Sequence, residues 1–276
     1  MMCAWSELLS ILPQWLRREV DALGKDSLRE IRLRMNSPPE LVLGGKSHWL
    51  KRRVSREDIS FCVNGASRYS PWSAATAAKG YITAPGGHRI GLCGEVVCQG
   101  GAVTGLREIH SLCIRVARDH PGVAKRVEPA GSILILGAPG WGKTTLLRDL
   151  IRRCAESRPV AVIDERGELF PEGFDRGIRT DILTGCPKPQ GIDMALRTMA
   201  PGWIAVDEIT AREDCVALVQ AVGCGVDLLA TAHASGLADL RSRPVYRPLW
   251  ENKVFDTVLI LRKDQSFYGE RVGEWN

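Results

Sequence analysis

The sequence predicts an α/β protein, a mostly parallel sheet carrying a phosphate-binding loop, preceded by a smaller α+β unit. Three observations predict it. Residues Ile133 to Leu136 break into Gly137-x-x-x-x-Gly142-Lys143-Thr144 and resume as a helical pattern, the strand, loop and helix order of a P-loop. Two further apolar runs, Val160 to Ile163 and Trp203 to Val206, end in the acid pairs Asp164-Glu165 and Asp207-Glu208. Buried parallel strands look like this when their C-terminal tips open into a ligand crevice. Upstream, residues 28–34 alternate apolar and charged side chains, and runs punctuated by glycine and proline follow to about residue 118, as in half-exposed strands.

In chain order, residues 5–16 carry Trp5, Leu8, Leu9, Ile11, Leu12, Trp15 and Leu16, interrupted by Pro13. They read as helix packed on its own domain, with a membrane-surface stretch as the alternative. The helical spacing continues to about Leu23 and breaks at Gly24. Strands are expected at 28–34 and 41–43, before the Gly44-Gly45 turn. Residues 55–67 read as a helix with Ser55 as N-cap and Asp58 as the capping-box acid, and with Ile59, Cys62 and Val63 on one face. Tyr81 to Val97 reads as strand, tight turn at Pro85-Gly86-Gly87, and strand, and Ser111 to Arg118 as another strand. Pro121 to Gly131 is the linker region, which divides an N-terminal α+β domain (1–126) from a P-loop domain (127–276). Beyond the P-loop and its helix (Thr144 to about Ala155), strands are expected at 160–164, 203–208, 226–233 and 254–261. A loop is expected over 175–191, and a helix from Ile192 to Met199. Strands alternating with helices make a doubly wound sheet.

The bulk properties exclude little. The chain has 276 residues, enough for two cores, and a mild net charge of +5 that decides neither for nor against nucleic acid or a membrane surface. Nine cysteines without a C-x-x-C, an odd count, argue against a zinc ribbon or a disulfide framework and read as reduced thiols. No run approaches the roughly 18 apolar residues of a membrane span, and the N-terminus lacks the features of a secretory signal.

The candidate site follows from chemistry. In the P-loop, Gly137, Ala138, Pro139, Gly140, Trp141, Gly142, Lys143, Thr144 and Thr145 would present backbone N–H groups to phosphate oxygens at the positive end of the following helix. Lys143, a loop-surface side chain, would reach the β- and γ-phosphates, and Thr144 would ligate Mg²⁺. Trp141 occupies a variable position, where its side chain can face outward. Asp207 is placed to hold the metal opposite Thr144, and Glu208 to polarise the attacking water. Glu165 competes with Glu208 for that role. Arg166 is expected to pair with a neighbouring acid. His233 ends the strand after Thr231, where a side chain can sense the γ-phosphate, although a lone histidine is more often structural.

Beyond the P-loop, the motifs Leu28-Arg-Glu-Ile-Arg-Leu-Arg34, Gly80-Tyr-Ile-Thr-Ala-Pro-Gly-Gly-His-Arg-Ile-Gly-Leu-Cys-Gly94, Val162-Ile-Asp-Glu-Arg-Gly-Glu168, Arg179-Thr-Asp-Ile-Leu183, Val206-Asp-Glu-Ile209 and Thr231-Ala-His233 resemble those of the stage III sporulation protein AA family. The resemblance runs from about residue 8 to residue 262. It departs at Trp141, where the family pattern has a small residue, and at Thr210, where it has glycine; neither removes a phosphate or metal ligand.

The resemblance implies a RecA-like, AAA-type ATPase core related to type II and type IV secretion ATPases, using ATP and Mg²⁺. It also implies a homo-oligomeric, hexameric ring in the cytoplasm of the mother cell; nucleic acid is not expected as a partner, since the sequence has no recognition module and no aromatic residues interleaved with basic ones. The ring would be peripheral at the membrane through channel proteins of the sporulation apparatus. Such ATPases complete the phosphate site with an arginine from the N-terminal domain; of Arg115 and Arg118, Arg115 is the choice, since Ile114 and Val116 would pack on the core side. The competing functions are a nucleotide-dependent nucleic-acid motor or loader and a nucleotide-gated scaffold with weak hydrolysis.

Overall fold

The structure, a computed structural model, describes residues 3–67, 80–171 and 173–271. Its contacts divide the chain into two units, residues 1–119 with 171–174, and residues 120–170 with 175–276. Residues 120–126, expected at the end of the first domain, cluster with the second unit. The reason is local: the Asp149 carboxylate accepts the N–H groups of Gly122 (3.0 Å) and Ala124 (2.7 Å), and Ala124 is fully buried.

In the first unit, α1 (Trp5–Ser10) and α2 (Gln14–Leu23) precede β1 (Leu28–Arg34), β2 (Glu40–Leu43) and β3 (Lys46–Trp49). Then come α3 (Arg56–Ser67), β4 (Tyr81–Thr83), β5 (Arg89–Gln99) and β6 (Ala102–Arg115). The six strands form one antiparallel sheet in the order β3-β2-β1-β6-β5-β4. The apolar residues of 5–16 are spent on this unit's own core: Leu8, Ile11, Leu12 and Leu16 are buried with Ile31, Leu33, Ile90 and Ile114. That fixes the stretch as packed helix. The capping box forms as expected, with Ser55 Oγ accepting the Asp58 N–H (3.2 Å) and Asp58 Oδ2 accepting the Ser55 N–H (2.9 Å).

The sheet departs from expectation at its exposed parts. The strand expected from 111 begins at Ala102 and stops at Arg115, and it pairs with β5 as a long hairpin. Its first half is mostly exposed, so no apolar alternation announced it. The register shifts between Cys93 and Glu95, at Gly94, where a Cβ would lie 2.6 Å from the Arg107 carbonyl oxygen. β3 is exposed at all four residues and was equally silent.

The second unit is a seven-stranded sheet in the order β13-β12-β7-β11-β10-β8-β9, parallel except for β13. Its strands are β7 (Ile133–Leu136), β8 (Val160–Asp164), β9 (Thr180–Thr184), β10 (Trp203–Ile209), β11 (Asp227–Ala232), β12 (Thr257–Leu261) and β13 (Phe267–Arg271). Alternate residues feed two cores. Leu134, Ile163, Val206, Ala230 and Ile260 point to one face, and Ile135, Val162, Ala205, Leu229 and Leu259 to the other. The first core takes the helices α5 (Lys188–Thr198) and α6 (Arg212–Gly223), and the second takes α4 (Lys143–Cys154), so the sheet is covered on both sides.

The loop expected over 175–191 instead contains β9, an edge strand running parallel to β8, and the start of α5. Its five residues are flanked by Gly177 and Gly185 and only Thr180 is buried, too little for a periodic signal. Among the described residues, no helix is long and apolar enough to cross a membrane.

Candidate functional site

The site lies where the C-terminal ends of β7, β11 and β10 meet. β7 stops at Leu136, and the chain turns through residues 137–142 into α4. Gly140 and Gly142 adopt φ values of 77° and 99°, which side chains rarely tolerate. A cavity of about 340 Å³ opens there, walled by Pro139, Gly140 and Gly142 to Thr145 on one side and by Asp207, Glu208 and His233 on the other. Of the expected phosphate-binding residues, Gly137 and Ala138 contribute their carbonyls, as described next. Trp141 is not turned outward as expected. It is partly buried against the core that contains Ile133 and Leu261, because that core ends directly beneath the loop.

Lys143 also departs from expectation. It is only 7% exposed, and its ammonium donates to Gly137 O (2.9 Å), Ala138 O (3.1 Å) and His233 Nδ1 (3.0 Å). Burial pulls its pKa below the ordinary lysine range, with Asp207 and Glu208 opposing the shift. Since His233 Nδ1 accepts from an ammonium, the ring proton sits on Nε2, which donates to Glu208 Oε1 (2.9 Å). The other oxygen of Glu208 meets Arg166 Nη1 at 3.0 Å. A continuous chain thus runs Arg166, Glu208, His233, Lys143.

Asp207 and Glu208 are neighbours, and a regular strand would send them to opposite faces. Both nevertheless wall the cavity. The register between β10 and β11 shifts between Val206 and Ile209, and Glu208 takes a left-handed φ of 54°. This bulge re-aims the second acid. Thr231, fully buried on β11, holds it: its hydroxyl accepts the Glu208 N–H (2.7 Å) and donates to Asp207 Oδ1 (2.6 Å). Asp207 Oδ2 accepts from Thr144 Oγ1 at 2.8 Å.

Could these residues hold the implied Mg²⁺ and nucleotide? Among the described residues, no group of three or more His, Cys, Asp and Glu forms a metal cage. Thr144 and Asp207 supply two oxygens side by side. That suits Mg²⁺, which keeps most of its shell as water and phosphate oxygen. The cavity of about 340 Å³ that Pro139, Gly140 and Gly142 to Thr145 line leaves room for phosphate groups. The residues fit.

Glu165 is not brought into this group. It takes an ion pair from the buried Lys188 at 2.7 Å, and β8 lies on the far side of β10 from the P-loop strand. Asp164 is buried and closes the following turn, accepting the N–H groups of Glu168 (3.0 Å) and Leu169 (2.9 Å). Burial pushes its pKa up, and the nearby Asp207 adds to the shift. Arg148 of α4 locks the same turn by donating to the carbonyls of Glu168 (3.1 Å) and Leu169.

Arg115, in the first unit, ends β6 as an exposed side chain, with the buried Ile114 pointing the opposite way. It lies opposite Glu30 of β1 and Arg89 of β5. Arg118 is beyond the strand and buried, donating to the carbonyls of Lys25 and Leu28. Sequence reasoning missed the roles of Thr231, Arg148 and Lys188. Their partners are 20 or more residues away, and no spacing rule links them.

A family model described as Sporulation stage III, protein AA matches residues 5–273. The chain is similar to the stage III sporulation protein AA of Bacillus subtilis (strain 168), at 36% identity over 94% of this chain and 91% of that protein. In fold it resembles the ATPase DotB of Yersinia pseudotuberculosis, with a TM-score of 0.62 at 16% identity, covering 94% of this chain and 78% of that one. It also resembles the pilus retraction motor PilT solved with bound ADP, with a TM-score of 0.61 at 16% identity, covering 90% and 77%.

Proposed function

The chain belongs to the sporulation stage III, protein AA family, and on that premise we propose that it binds and hydrolyses ATP, powering or assembling a channel between mother cell and forespore during endospore formation. The observation that carries the catalytic part is the meeting of Thr144 and Asp207 at 2.8 Å on the wall of the P-loop cavity, with Glu208 beside them. The fold shared with DotB and PilT supports the same reading.

In this mechanism the backbone of residues 137–145 receives the phosphates. Lys143, which lines the cavity, exchanges its carbonyl and His233 partners for β- and γ-phosphate oxygens. Thr144 and Asp207 would hold Mg²⁺, which when bound would supply positive charge against the phosphoryl oxygens. Glu208 orients the attacking water and takes its proton. His233, released by Lys143, reports the state of the γ-phosphate to Glu208. Glu165 is the lesser candidate for the base, because Glu208 and not Glu165 lines the P-loop cavity. Arg115 completes the phosphate site in a hexameric ring, and channel proteins of the sporulation apparatus hold the ring at the membrane from the cytoplasmic side. The likeness in fold to PilT, described as a pilus retraction motor, supports the motor-like part of this reading.

The test is phosphate release from Mg-ATP with and without single-stranded DNA. Turnover indifferent to DNA is expected. Strong stimulation by DNA would replace this reading with a nucleic-acid motor, and tight ATP binding without turnover would replace it with a nucleotide-gated scaffold.

A further inference from the structure

The Arg166 guanidinium is half exposed and reaches across from the turn after β8 to the Glu208 carboxylate. Glu208 is anchored at three points. Its N–H is tied to Thr231, one carboxylate oxygen to His233 and the other to Arg166. The backbone there is in the left-handed region, which is strained for a residue with a side chain. Such a conformation persists only where surrounding contacts over-determine it.

Arg166 is well placed to supply one of those contacts, since its own turn is rigid. The Asp164 carboxylate closes the turn from inside, and Arg148 clamps it from the P-loop helix. The Gly167 N–H also bonds Asp164 O at 3.3 Å. From that fixed turn the Arg166 side chain reaches a carboxylate whose second oxygen already faces His233. Other charged groups near Glu208 are Lys143 and Asp207, with the Tyr246 hydroxyl on the 3₁₀ turn beyond.

We propose that Arg166 is the positioning residue that aims Glu208: by holding Oε2 it fixes the carboxylate rotation in which Oε1 faces His233 and the P-loop cavity. This rests on the reading of the protein as an ATPase with Glu208 as its base. Without Arg166 the carboxylate keeps its backbone site but can rotate about its terminal torsion, which is broad for glutamate. Misplacing a reacting group by about 1 Å can cost on the order of 10²-fold in rate. Since His233 still holds one oxygen, the loss should be smaller, about tenfold, and should fall on kcat.

The experiment compares steady-state phosphate release, binding of a non-hydrolysed ATP analogue and thermal unfolding across Arg166→Ala, Arg166→Lys, Glu208→Gln and the double variant Arg166→Ala with Glu208→Gln. Arg166→Ala is expected to lower kcat about tenfold, with KM and analogue affinity within twofold of wild type. Arg166→Lys should recover part of the loss, because a lysine restores the charge without the planar fork. In the Glu208→Gln background, Arg166→Ala should have no further effect. Unchanged or faster turnover in Arg166→Ala, or a full tenfold loss added on top of Glu208→Gln, would overturn the assignment. If wild type and Glu208→Gln release phosphate at the same rate, the reading of Glu208 as base has failed, which is a separate result from failure of the Arg166 role.

Discussion

Replacing Thr231 by valine removes one oxygen and leaves the shape nearly unchanged, and the structure assigns that oxygen two jobs. It accepts the Glu208 N–H at 2.7 Å and donates to Asp207 Oδ1 at 2.6 Å. The bond to the carboxylate is charge-assisted, worth about 1.5–3 kcal/mol, and stranding the Glu208 N–H costs about 1–3 kcal/mol. Both partners are only partly buried, so water recovers some of each term, and a net loss of about 2–3 kcal/mol is expected. For a unit of this size 1 kcal/mol moves the midpoint by about 2–4 °C, so Tm should fall by roughly 4–12 °C in calorimetry of the nucleotide-free protein. Thr231→Ser, which keeps the hydroxyl, should unfold within about 2 °C of wild type. Turnover should fall in Thr231→Val as well, because the bulge that aims Glu208 loses its pin. An unfolding midpoint for Thr231→Val equal to wild type would refute the claim that Thr231 holds the bulge.

The two glutamates should separate cleanly. Glu208→Gln is expected to bind ATP while turning it over about 10²–10⁴-fold more slowly, whereas Glu165→Gln should keep turnover and lose some stability by stranding the buried Lys188; a larger turnover loss for Glu165→Gln would exchange the roles. His88 is fully buried, its Nδ1 accepting the Ala117 N–H (3.0 Å) and its Nε2 donating to Ala4 O (2.8 Å), and burial lowers its pKa below the ordinary 6.5. Glu7 opposes that shift and Arg118 adds to it. The folded chain therefore binds the His88 proton more weakly than the unfolded chain, so this stability is complete above pH 6.5 and is lost as pH falls through 6.5 toward the lowered value. Thermal unfolding between pH 5 and 8 should show that slope in wild type and a shallower one in His88→Phe; equal slopes would contradict it. Arg115→Ala should lower turnover with little change in Tm, since Arg115 is exposed and sits between Glu30 on one neighbouring strand and Arg89 on the other, an opposite and a like charge whose effects offset. Activity per subunit should also rise with protein concentration; strictly linear activity from a demonstrated monomer, with a silent Arg115→Ala, would rule out both the ring and the arginine.

What the sequence made legible was local. The end of α2 at Gly24, the Ser55–Asp58 box, the P-loop and the buried strands of the second sheet each carry their signal within a few residues, as a cap, a spacing or an apolar run. The strands that escaped notice, β3, β9, β13 and the first half of β6, lie at sheet edges or in an exposed hairpin, where pairing is decided by the neighbour in space rather than by side-chain alternation. In the site, residue types and order pointed to residues that wall one cavity. They could not show that Asp207 and Glu208 share a face, because that depends on one backbone angle and a register shift. Nor could they show that Lys143 would be buried. Its position depends on the loop carbonyls and on His233, 90 residues away.

The central claim, that the cavity above β7 is an ATP-hydrolysing site, is tested most directly by phosphate release from Mg-ATP by wild type and Lys143→Ala, with fluorescent-ATP binding measured on the same preparations. Wild type should bind and release phosphate. Lys143→Ala, shown by circular dichroism to be folded, should release none, because the ammonium that must leave Gly137 and Ala138 for the phosphates is gone. Near-normal turnover in a folded Lys143→Ala protein would contradict the account, as would a wild-type protein that neither binds nor hydrolyses ATP.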